Sequence, residues 1–178
     1  MTKRAKIVVA ILLVVLALAV VMTSCNIKDA IEDLQGQVGG YEPNDNEKSV
    51  TIFIGEDKFE VTTNQRYLHG ALLELLSENK ISTYDYASSD FGAYINQIED
   101  LEQDFQNGKY YSIWHNVDVF ALKSISTEYN PGRATAEDDG EGNVFAVTNY
   151  ENVKMFYSAV GVDVLPLIDG CTYAILVD

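Results

Sequence analysis

The side chains that could carry chemistry are few. The 178-residue chain has two histidines, His69 and His115, and two cysteines, Cys25 and Cys171. Nucleophilic catalysis needs a base oriented beside a hydroxyl or thiol, and no Gly-x-Ser-x-Gly turn is present to present one. His69 falls near the apolar face of a helical segment and reads as a satisfied or surface histidine. His115 follows Trp114 on an alternating strand, so the two point to opposite faces. Cys171, in an apolar stretch, reads as a small buried hydrophobe rather than a reactive thiol. Zinc needs a Cys/His cluster, and there is none. Glu137, Asp139 and Glu141 alternate before Gly142 like the opening of a calcium loop. Thr148, however, stands where the bidentate Glu belongs, so the segment reads as a solvated acidic turn. No catalytic residue, metal or cofactor is expected, and the chain reads as a non-enzyme.

Aromatic residues are the enriched feature: 11 Tyr, 7 Phe and 1 Trp. Tyr84, Tyr86, Tyr94, Tyr110, Tyr111 and Trp114 gather in about one sixth of the chain. Tyr and Trp join apolar area to a polar tip, which suits recognition as well as core packing. Tyr94, Tyr110 and Trp114 are the candidate ligand-binding residues, expected around an exposed aromatic groove. The chemistry on offer is therefore binding.

Charge narrows the partners. The net charge is −15, and the only basic residues of the first 24 positions are Lys3, Arg4 and Lys6, with no acid among them. Beyond them stand 9 basic against 27 acidic residues. Such a surface repels phosphate backbones, so no nucleic-acid partner is expected.

Lys3, Arg4 and Lys6 precede an unbroken apolar run from Ile7 to Met22, followed by Thr23, Ser24 and Cys25. A basic start, an apolar stretch and small residues before a cleavage point describe an export signal, and the run is short for a bilayer span. Met22-Thr23-Ser24-Cys25 resembles the lipobox of bacterial lipoproteins. The resemblance implies cleavage after residue 24 and diacylation of the Cys25 thiol, and two acyl chains suffice for stable anchoring. An uncleaved signal anchor is the alternative. Either way the rest of the chain lies at the extracytoplasmic face of the cell membrane. Residues 25–49, with Gly36, Gly39, Gly40 and Pro43, read as a flexible tether.

The domain that must position the aromatics begins at residue 50 and runs to 178. Val50–Ile54 and Phe59–Thr62 flank a polar turn with Gly55 and read as a hairpin. Leu68, Ala71, Leu72, Leu75 and Leu76 keep helical spacing, with Thr63 or Asn64 as cap and Asn79 as a left-handed stop. Gly70 within that helix implies close approach to the sheet. Ser82–Asp90 reads as loop, Phe91–Ile98 as strand, Glu99–Gly108 as one or two helical turns, and Tyr110–Asn116 as strand. Val117–Ile125 and Asn143–Thr148 could be strands of a hairpin-like excursion with a mobile tip. Asp169-Gly170 makes a turn before a final strand Thr172–Val177. The fold expected is α+β: a β-grasp-like two-layer sandwich of antiparallel hairpins with one main helix on the sheet.

Several of these phrases, in order, resemble a bacterial domain-of-unknown-function family related to the C-terminal β domain of transcobalamin and intrinsic factor. They are the opening hairpin, Tyr67–Leu76, Gly92–Ile98, Tyr110–Asn116, and Gly161-Val162-Asp163 through Leu167-Ile168-Asp169-Gly170. Residues 117–152 stand as an insertion. Val117 follows Asn116 where the family has Gly, and Cys171 stands where it has Asp. The vertebrate relatives close this domain over cobalamin, so the resemblance implies a binding module for a small molecule, with a corrinoid as one candidate. The alternatives are a surface module binding a protein or glycan through Val117–Asn149, and an accessory subunit of an envelope transport system.

Overall fold

The computed structural model describes residues 43–89, 92–123 and 133–178. The signal segment, the Cys25 site and most of the expected tether lie outside the described residues. Strand β1 spans Pro43–Ile54 and β2 Asp57–Gln65, so the last seven residues assigned to the tether are strand instead. They pair, across a register shift between Pro43 and Lys48, with the far end of β2. Gly55, at φ +57°, makes the tight turn between the two.

Helix α1 covers Leu68–Ser77. Neither Thr63 nor Asn64 caps it: the N-cap is Tyr67, and its side chain makes no capping bond to the helix. The first free amides are met instead by a distant loop, Leu68 N–H donating to Leu165 O (3.0 Å) and His69 N–H to Val162 O (2.9 Å). Asn79 ends the helix at φ +56°, with Lys80 N–H reaching Leu75 O (2.9 Å). Gly70 is needed for contact: a Cβ there would stand 2.6 Å from Oε1 and 3.0 Å from Cβ of Gln65 on β2.

Strands β3 (Tyr84–Ser89) and β4 (Gly92–Ile98) form a separate antiparallel hairpin. Its first strand was expected to be loop. Tyr84 and Tyr86 alternate with polar residues, and Glu99 clamps its base by accepting from Thr83 N–H (3.0 Å) and the Ser82 hydroxyl (3.1 Å). Then follow β5 (Tyr111–His115), a 3-10 turn at Asp118–Phe120, β6 (Thr135–Asp138), β7 (Val144–Tyr150), β8 (Val153–Tyr157) and β9 (Thr172–Val177). No helical turn forms over 99–108, and Val117–Lys123 gives the 3-10 turn and isolated bridges rather than a strand.

Seven strands share one sheet in the order β2-β1-β9-β5-β8-β7-β6. It is mixed, not wholly antiparallel, because β1 and β9 run parallel, Ile52 facing Tyr173. The chain between them is long enough, and includes a helix, to make the required crossover. Strands β6, β7 and β8 extend this sheet from the β5 edge, so the expected excursion is a structural part of the domain. Among the described residues the architecture is α+β, mostly strand with one α-helix.

Both faces of the central strands carry buried side chains, while β6 is exposed throughout and β2 on one face. Ile52, Ile54, Val61, Tyr173 and Ile175 share the face to which α1 is tied through Glu74 and its bonds to Thr63 and to Gln65 (2.8 Å). The opposite face carries Phe53, Trp114, Ala146, Met155, Ala174 and Leu176 in one cluster. Among the described residues no helix is long and apolar enough to cross a membrane.

Candidate functional site

A groove of about 500 Å³ lies between β4, the segment 99–110 and β5. Strand alternation decides what β5 gives to it: Tyr111 and Ile113 face the groove, so Trp114 cannot. Trp114 is fully buried on the other face, its indole N–H donating to Ser112 Oγ (2.7 Å) and Asp178 Oδ2 (3.2 Å). That corrects the expectation that Trp114 lines the groove. Tyr94 and Tyr110 do line it, and they are 55% and 50% exposed.

The loop before β5 supplies a third ring, Phe105, from a segment whose sequence carries no binding motif. Asp104 and Lys109 bond through both backbone pairs, 3.0 and 2.8 Å, and Gly108 at φ +71° completes the reversal. Asn107 N–H and side chain donate to the Asp104 carboxylate (3.1 and 2.5 Å), which holds its pKa below the usual range. This turn lifts Phe105 into solvent, 66% exposed, with its ring edge-on to Tyr110 at 5.4 Å. Tyr111 Oη donates to Leu101 O (2.6 Å) and pins the segment to β5. Asn96 and Gln103 add amide groups, and Gly161 and Val162 close one side. The lining residues include no charged side chain.

Behind Gly161 and Val162 stands Asp163, 3% exposed, with Oδ1 closed to water and lacking a hydrogen-bond partner. Near it, His69 Nδ1 and Tyr84 Oη share a 2.6 Å hydrogen bond, and the edge of the His69 ring meets Tyr86. Burial lowers the His69 pKa although the Asp163 charge opposes it, and burial raises that of Tyr84. His69 is thus a satisfied buried histidine at neutral pH. So is His115: Val117 N–H donates to its Nδ1 (3.4 Å), which leaves the proton on Nε2 to donate to Phe120 O (3.2 Å). Cys171 is half-buried, and burial pushes its thiol up to about 11.

The acidic turn folds on itself. The Asp139 carboxylate accepts from Glu141 N–H (2.8 Å), Asn143 N–H (3.1 Å) and the Asn143 amide (2.7 Å). A second concavity, about 700 Å³, lies between Phe53 and Thr51 of β1 and Tyr150, Glu151 and Val153 of the β7–β8 turn. Among the described residues the strongly exposed large hydrophobics are Tyr86, Tyr94, Phe105 and Tyr110, and none falls within 117–149.

No protein-family model matches the sequence, and no curated protein matches it significantly. Among solved structures, a chain from Ruminococcus gnavus ATCC 29149, provisionally described as metal-binding, aligns with a TM-score of 0.39 at 17% identity, covering 75% of this chain and 97% of that one. A likeness at that level carries no argument about ligand or fold.

Proposed function

We propose that the protein is an extracytoplasmic module, lipid-anchored through Cys25, that binds a small molecule in the groove between β4 and β5. One observation carries the reading: Tyr94, Phe105 and Tyr110 present large apolar rings to solvent along a concave surface, at a cost in exposed area that the fold does not need. Ligand sites are typically concave, mainly apolar, and edged by a few polar groups. Asn96 and Gln103 border this one; their amide nitrogens already donate to Asp85 (3.2 Å) and to Asn96 O (3.4 Å), so their amide oxygens are the groups offered to a ligand.

The β1–β2 hairpin, the helix after it and the parallel β1–β9 pair fit a β-grasp-like core. That agreement supports the resemblance to the transcobalamin C-terminal domain and keeps corrinoids among the ligands to test. The basic, apolar and small-residue order of residues 3–25 supports export and acylation.

Trp114 is sealed in the core, so its emission is a poor reporter. Isothermal titration of the full chain in detergent, with cobalamin, cobinamide, haem and simple aromatic and sugar rings, tests the reading. Binding of one of these, weakened at least tenfold in Tyr94→Ala, is expected. Binding that neither Tyr94→Ala nor Phe105→Ala alters would place the site elsewhere. Metabolic labelling with an alkynyl fatty acid tests the anchor, and Cys25→Ser should abolish the label.

A further inference from the structure

Charge is missing from the groove. Charged residues make up 22% of the chain, yet none lines it. Asp100, Glu102 and Asp104 stand in the same segment as Gln103 and Phe105, and they too are absent from the lining. A charged ligand would lose water here without meeting a counter-charge, so the groove favours a neutral one. Its polar groups are biased as well. The Asn96 amide nitrogen donates to Asp85 Oδ2 (3.2 Å) and that of Gln103 to Asn96 O (3.4 Å). The two amide oxygens are left to accept, so a ligand has to bring donors. The rings set its shape. Phe105 and Tyr110 meet at 64°, with centroids 5.4 Å apart, and form an angled wall that no planar molecule covers face to face on both rings. Tyr94, Phe105 and Tyr110 are each at least half exposed, which makes the groove an open trough.

We propose that the groove holds a neutral oligosaccharide, its C–H-bearing ring faces against Tyr94, Phe105 and Tyr110 and its hydroxyls donating to Asn96 Oδ1 and Gln103 Oε1. The inference rests on the groove reading above and gives its ligand a class. A sugar ring is uncharged, puckered, apolar where its axial C–H bonds point, and rimmed with hydroxyl donors. C–H groups over an aromatic face gain dispersion and are drawn to the negative side of the ring quadrupole. A proline-rich peptide, another common occupant of aromatic-lined grooves, brings carbonyl acceptors and few N–H donors, and here it would meet acceptors. A chain of sugar units also makes use of an open trough of about 500 Å³, because each added unit covers more of the exposed rings.

The test titrates the full chain with cellotetraose, maltotetraose and tetra-N-acetylchitotetraose and follows its amide NMR spectrum. Lauryldimethylamine oxide serves as detergent, since its head group carries no sugar. At least one of the three should bind, at least tenfold more tightly than its own monosaccharide, and shift the side-chain amide signals of Asn96 and Gln103. Its fully methylated form keeps the ring faces but lacks every hydroxyl donor, and should bind at least tenfold more weakly. Tetragalacturonate, an acidic counterpart, should be weaker by a similar factor. Binding of none of the three, equal binding of the methylated or acidic form, or binding that leaves Asn96 and Gln103 in place overturns the sugar. Hexaproline and cobinamide are titrated in parallel. If either of them moves the groove signals while the sugars do not, the groove stands and the sugar falls. If no probe moves a signal around Tyr94, Phe105 and Tyr110, the groove reading falls as well. Every readout uses the wild-type chain, so none depends on a variant folding.

Discussion

The ring of Tyr150 meets Phe53 edge-on with centroids 5.3 Å apart, although β7 and β1 are four places apart in the sheet. Four flat steps would separate them by about 19 Å. The sheet therefore curls until its far strands close over its own outer face. Arg133, before β6, makes the same closure by pairing with Asp178, after β9. The Tyr150 hydroxyl also donates to Gly55 O in the β1–β2 turn. Tyr150→Ala should destabilise the domain by about 3 kcal/mol, as expected for losing a large packed aromatic. Tyr150→Phe, which removes only the hydrogen bond, should cost about 1 kcal/mol. Urea unfolding of the two variants checks the ratio.

Trp114 reports the closed face of the sheet. With no exposed surface and its ring edge-on to Tyr157 at 5.3 Å, its emission should be blue-shifted and resistant to acrylamide until the domain unfolds. Trp114→Ala should cost about 3–5 kcal/mol. A groove ligand that does not absorb in the Trp emission band should leave the emission unchanged, and a large change on binding such a ligand would contradict the placement of the groove on the opposite face.

His115 makes the domain acid-sensitive. Burial lowers its pKa from the ordinary 6.5 to about 4. Since the unfolded chain takes up the proton first, this stability is complete above pH 6.5 and is lost as pH falls from 6.5 toward 4. The loss is on the order of 3 kcal/mol by linkage. His69, lowered in the same direction, adds to it. His115→Gln should flatten much of the change in thermal midpoint between pH 7 and pH 5.

The groove aromatics should separate binding from stability. Phe105 and Tyr110 are at least half exposed, so Phe105→Ala and Tyr110→Ala should change unfolding free energy by less than about 1 kcal/mol. Both should weaken the groove ligand several-fold. A large loss of stability with unchanged binding would make these rings structural.

Helix α1 and strand β9 were legible because their residues carry the pattern locally. Leucines at helical spacing bury one face, and a run of apolar and β-branched residues can hardly do anything but enter a sheet. Asn79 was legible as the stop because few other side chains tolerate a left-handed backbone. Strand β3 was not, since Ser and Asp are weak strand formers and its pairing depends on β4 and on the Glu99 clamp. Of the three candidate ligand residues, Tyr94 and Tyr110 fall in the groove. Trp114 does not, because composition marks it as useful for binding while its register places it on the closed face.

The sequence by itself determined which segments are apolar, where the chain can turn, and that catalysis has few residues to work with. Those properties depend on side-chain type and near-neighbour spacing. Only the tertiary structure decided that β1 and β9 run parallel, that the sheet curls onto Phe53, and that Phe105 joins Tyr94 and Tyr110 in one groove. It also decided that Asp163 is buried with its Oδ1 lacking a hydrogen-bond partner. These follow from contacts between residues far apart in the chain, and no local preference specifies them.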